Sequence, residues 1–110
     1  MADTTKLVEL LGEDERLRLE HNAAGKEYRE GRLKEVDWET FKSAWLTRSE
    51  DVCRRLNAEI AAQGVTLAHS ATDCKAYAGV PDAKAVPILT VSKADMLAVY
   101  EAALAVQPPK

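Results

Sequence analysis

The pattern of apolar and polar positions is clearest between Asp37 and Gly64. There Trp38, Phe41, Ala44, Trp45, Val52, Cys53, Leu56, Ile60 and Ala61 recur at steps of three, four and seven. Such spacing draws one stripe along a 3.6-residue helix. Asp37 has the chemistry of an N-cap, and Gly64 suits the left-handed position just past a helix end. Upstream, Thr4 or Thr5 precedes Leu7, Val8, Leu10 and Leu11, which reads as a short first helix that Gly12 interrupts or ends. From Glu13 to about Lys34, Leu17, His21, Ala24, Tyr28 and Gly31 fall on a near-heptad seam. Gly31 to Asp37 then makes a turn, with Leu33 and Val36 placed to plug its closed end. Helices joined by so short a connection pack as neighbours, so an antiparallel helical hairpin is predicted over residues 13–63.

The remainder is less regular. Val65 to Leu67 and Val86 to Val91 have strand character, and Pro87 restricts the second to an edge. Between them Ser70 to Asp73 resembles a capping box opening a short helix that Gly79 closes. Val80-Pro81-Asp82 reads as a turn. Ser92 to Asp95 is a second capping box, starting a terminal helix over 92–107 with Met96, Leu97, Val99, Tyr100, Ala103 and Leu104 on its face. Pro108 and Pro109 stop it. The predicted fold is mainly α in one domain over 1–110: a helical hairpin, a mixed segment over 64–91 with room for a short two-stranded β element, and a C-terminal helix.

Size bears on what the long helix does. A chain of 110 residues buries about 65% of its extended surface, enough for a modest core. A helix of about 26 residues is about 39 Å long, whereas a compact domain of this size has a radius of gyration near 13 Å. The helix therefore overhangs one small globule, which favours an elongated protomer whose stripe a partner completes. A monomeric bundle with one long helix is the alternative.

Charge excludes more than it identifies. The formal net charge is −3 and the isoelectric point about 5.4, which argues against a protein devoted to neutralising a polyanion. Residues 1–36 hold nine acids and seven bases and read as a highly charged, solvated segment, whereas residues 65–110 hold four of each. No apolar run approaches membrane-spanning length, and the N-terminus lacks the pattern of a signal peptide, so a cytoplasmic protein is expected with no membrane partner. Cys53 and Cys74 then read as reduced thiols, Cys53 as a small buried hydrophobe near the stripe.

Candidate chemistry is sparse. His69, Asp73 and Cys74 are the nearest thing to a reactive cluster, with His21 and Cys53 elsewhere. Their spacing lacks the paired ligands of a zinc site, and a Cys74–His69 nucleophilic pair needs a proximity that spacing does not supply. No catalytic residue, metal ligand or cofactor is therefore assigned. Glu13, Asp14 and Glu15 complement a helix dipole. Arg48, Arg54 and Arg55 could touch phosphates, but Glu50, Asp51 and Glu59 intervene and no surface aromatic interleaves for base stacking.

The run Tyr28-Arg-Glu-Gly31-Arg-Leu33, then Val36-Asp-Trp-Glu-Thr-Phe41, Trp45, Arg48, Arg54 and Leu56, resembles the helical hairpin of bacteriophage DNA-packaging terminase small subunits. The resemblance covers roughly residues 20–60. In that family the hairpin lies beyond a DNA-binding helix-turn-helix and helps assemble the subunit. Here the residues ahead of the hairpin are too few for a helix-turn-helix, and the proline usual after the second helix is missing. The resemblance thus implies assembly through a hairpin and not DNA recognition. The expected function is a small, non-enzymatic interaction or assembly subunit of phage-like character, self-associating or docking through Trp38, Phe41, Trp45, Val52, Leu56 and Ile60. A nucleic-acid-packaging or regulatory subunit using Arg48, Arg54 and Arg55 is the second reading, and an enzyme using Cys74 and His69 the third.

Overall fold

A computed structural model describes residues 3–106. Three helices and three strands follow in the order α1 (Thr5–Arg29), α2 (Glu35–Gln63), β1 (Val65–His69), β2 (Asp73–Ala78), β3 (Leu89–Ser92) and α3 (Lys93–Ala105). The architecture is the expected one, a hairpin of two long helices with a C-terminal helix, plus a small antiparallel sheet of order β1-β2-β3. That sheet has one strand more than expected.

Gly12 does not break α1. The helix runs through it because α3 crosses there: a Cβ at Gly12 would lie 2.1 Å from the Met96 carbonyl oxygen and 2.7 Å from Tyr100 Cβ. The glycine is a close-approach residue, and packing outweighs its low helix propensity. The N-terminal half of α1, expected as solvated, is the centre of the core. Leu7, Val8, Leu10, Leu11 and Leu17 are all buried, because α2, α3 and the sheet surround this half of the helix.

The hairpin turn is shorter than expected, Glu30 to Lys34, so Asp37 lies inside the first turn of α2 and does not cap it. The residue at the cap position is Lys34, without a side-chain cap bond. Leu33 is half-buried, but Val36 stands 67% exposed and does not plug the turn. At the other end Gly64 takes φ 63°, the left-handed cap foreseen for it.

Ser70 to Asp73 opens no helix. Ser70 Oγ instead accepts from the Thr72 and Asp73 amides at 3.2 and 3.0 Å and shapes the β1–β2 turn. A serine three residues before an acid satisfies either a helix start or such a turn, and pairing of β1 with β2 selects the turn. β3 begins two residues after Pro87 and lies at the sheet edge, where a missing amide is harmless. Ser92 does cap α3, accepting from the Asp95 amide at 3.1 Å. The expected stop at Pro108 and Pro109 lies outside the described residues. One face of the sheet (Val65, Cys74, Ala76 and Val91) closes the core against Leu7, Leu11 and Met96, with Leu56 and Ile60 of α2 packed beside it.

Candidate interaction surface

Trp38, Phe41 and Trp45 face α1, where the heptad seam supplies His21 and Tyr28. Five rings form one layer: Trp38 stacks on Tyr28 at 5.3 Å and on Phe41 at 5.9 Å, and His21 tilts against Trp45 at 4.6 Å. Trp45 Nε1 donates to the Leu17 carbonyl at 2.7 Å, which fixes its ring and spends one of that turn's lone pairs. Lys42 Nζ sits 5.4 Å from the Trp38 ring centroid, a cation–π contact. None of the five rings is fully buried. Between Arg18 and Asp51 only Gly25 is buried, and the end of α3 reaches this span only beside Glu20 and Arg48.

The rest of the predicted stripe has a different environment. Val52 is 0% exposed and belongs to the interior, and Leu56 and Ile60 are half-buried against the core. These three are not a free docking surface. The change of environment along one stripe follows from where α1 is itself surrounded: below Leu17 the sheet and α3 close the layer, and above it only the end of α3 comes beside Glu20 and Arg48, away from the rings. The exposed side of α2 carries Leu46 at 53% exposure and Cys53, which is not the buried hydrophobe expected of it. Glu39, Glu50 and Arg54 are exposed there as well, beside half-buried Lys42.

Arg48, Arg54 and Arg55 are each engaged with acids. Arg48 reaches Glu20 at 3.1 Å, Arg54 pairs with Asp51, and Arg55 bridges Asp51 at 2.9 Å and Glu13 at 3.2 Å. Their positive charge is locally balanced, so they do not form a basic stripe.

His69 and Cys74 do come together, directly opposite each other across the β1–β2 pair. Their environments diverge: His69 is exposed, and Cys74 is 1% exposed with its thiol pushed up by burial and by the nearby Asp73 charge. A raised thiol is a poor nucleophile at neutral pH. His69 lines a cleft of about 260 Å³ with Leu11, Asp14, Glu15, Arg18, Lys93 and Met96. Glu15 is buried there, its carboxylate held by Arg18 Nε at 2.8 Å with Lys93 4.0 Å away. The Arg18 hydrogen bonds, above all, hold Glu15 below the usual carboxylate range. Asp14 keeps an exposed surface yet is crowded by protein, and this desolvation raises its carboxyl against the opposing charge of His69. Sequence reasoning missed this cleft, since Glu15, His69 and Lys93 meet only when the sheet folds onto α1. Among the described residues no group of three or more His, Cys, Asp or Glu could hold a metal ion. No helix among them is long and apolar enough to cross a membrane.

Comparison with protein-family models, with curated proteins and with solved structures finds no match for this chain.

Proposed function

We propose that this chain is a small assembly subunit that works by protein–protein contact through the outer part of its helical hairpin and carries out no reaction of its own. One observation supports the reading most: an aromatic layer of five rings held between only two helices, with no buried residue but Gly25 from Arg18 to Asp51. Two-helix layers leave both faces of their seam open to water, and large aromatic side chains so placed are typical interface anchors. The resemblance to the hairpin of phage terminase small subunits agrees with an assembly role, and a cytoplasmic, phage-like setting is part of the proposal. The pairing of Arg48, Arg54 and Arg55 with acids weighs against phosphate binding, and the burial of Cys74 weighs against thiol chemistry.

The test is the solution mass by light scattering over a hundredfold range of concentration, with iodide quenching of Trp38 and Trp45 measured alongside. Association through the hairpin raises the mass and protects the indoles over the same range. A mass fixed at one chain, with equally quenchable indoles throughout and no change on adding candidate partner proteins, would sink the reading.

A further inference from the structure

The outer side of α2 carries an ordered sequence of charges about a single exposed leucine. Moving outward from Leu46, Lys42 lies four residues before it and Glu50 four residues after it, while Glu39 lies seven before and Arg54 eight after. Lys42, Leu46, Glu50 and Arg54 follow one i, i+4 ridge. Reading along the helix the signs run minus, plus, leucine, minus, plus. A parallel, in-register copy would set like charge on like. An antiparallel copy crossing at Leu46 sets Lys42 against Glu50 of the second chain and Glu39 against Arg54, twice over by symmetry.

We propose that the occupant of this face is a second copy of the chain, packed antiparallel with a twofold axis at Leu46; the proposal rests on the association reading above and adds the partner and register. Two further observations bear on it. Glu50 has no ion-pair partner among the described residues, although the other charges of the ridge do: Lys42 holds Glu39 at 3.0 Å, and Arg54 holds Asp51. In the pair, Lys42 gains a second carboxylate and Glu50 its only base, so no charge is stranded. Leu46 is also the largest apolar side chain exposed on the middle of α2. Crossing there covers Lys42 and, beneath it, Trp38. An isologous contact of this kind is the commonest form of closed assembly. With one leucine pair and surface charges at its heart, the dimer is weak, concentration-dependent and salt-sensitive.

Cross-linking reads the register directly. Helix axes 8–10 Å apart bring the two Cα atoms at the crossing to about 5 Å, within disulfide range. Cys53, seven residues away, lies about 21 Å from its symmetry mate and out of reach. Under mild oxidation Leu46→Cys in a Cys53→Ser background should therefore form a covalent dimer, while the wild type with Cys53 should not. In sedimentation, Glu50→Lys should weaken the dimer at least fivefold, and Lys42→Glu/Glu50→Lys should restore it to within twofold. Circular dichroism confirms that the variants keep their helices. A dimer that survives with no Leu46→Cys cross-link and no rescue overturns this register while leaving association through the hairpin standing. A wild type that is monomeric at all concentrations, with Leu46→Cys uncross-linked, overturns the second copy as occupant.

Discussion

Gly12 and Gly25 sit in the same helix and make opposite predictions. A methyl group at Gly12 collides with the Met96 carbonyl, which is backbone and cannot swing aside. Gly12→Ala should push α3 off α1 and cost about 1–3 kcal/mol, the range for overpacking, in urea denaturation. At Gly25 the nearest atom is the Arg29 guanidinium at 3.3 Å, the end of a flexible chain. Gly25→Ala should be neutral or stabilising by up to about 1 kcal/mol from helix propensity. Glu15 and Asp14 are a second contrasting pair. Glu15 is held below its unfolded value by Arg18, so folding favours its ionised form. The stability it adds is present above the unfolded value of about 4.3 and is lost as the pH falls through the lower folded value. Glu15→Gln should cost about 1–2 kcal/mol at neutral pH, a gap that closes in acid. Asp14 is raised by burial, so its ionised form opposes folding. Asp14→Asn should stabilise at neutral pH, and that gain should shrink as the pH falls through its raised folded value and vanish below the unfolded one.

At the scale of elements, the hairpin is fixed in rotation by Trp45. Trp45→Phe keeps the ring in the layer but removes its bond to the Leu17 carbonyl. About 1 kcal/mol should be lost, with the far-ultraviolet spectrum unchanged. The sheet and the outer helix surface differ in how they hold their thiols. Cys74 is enclosed on β2 with its thiol raised, whereas Cys53 stands exposed on α2. Iodoacetamide should label Cys53 in the native protein and reach Cys74 only on unfolding. Rapid native labelling of both would contradict the enclosed strand.

For the whole molecule, the radius of gyration of 16.2 Å exceeds the roughly 13 Å of a compact chain of this length, and the principal extents are 49 × 38 × 22 Å. The excess is the hairpin, which projects beyond the core that its other end helps to build. Substitutions therefore divide by place. Leu56→Asp/Ile60→Asp puts two carboxylates against the core cluster and should unfold the protein, whereas Leu46→Glu should leave it folded and alter only its solution mass. With Arg48, Arg54 and Arg55 each paired to acids and a formal net charge of −3, no shift of duplex DNA is expected at sub-micromolar protein and about 150 mM salt.

Local signals settled much of this. The 3.6-residue stripe, the short turn, Gly64 and the Ser92–Asp95 cap are each satisfied within one or two turns of chain, so α2, the hairpin and the start of α3 were legible from residue order alone. The aromatic layer was half legible, since Trp38, Phe41 and Trp45 and the facing His21 and Tyr28 each lay on a visible seam. What tertiary structure decided are choices between local solutions of nearly equal energy. A glycine at position 12 can end a helix or admit a crossing one, and only α3 distinguishes them. Ser70 can cap a helix or a strand turn, and only the pairing of β1 with β2 selects. Whether an apolar stripe is interior or surface depends on what lies opposite. Val52 was enclosed and Leu56 and Ile60 met the core that the sheet and α1 build, while Trp38, Phe41 and Trp45 met a single helix. No periodicity along α2 encodes that difference, because the covering atoms come from segments distant in the chain.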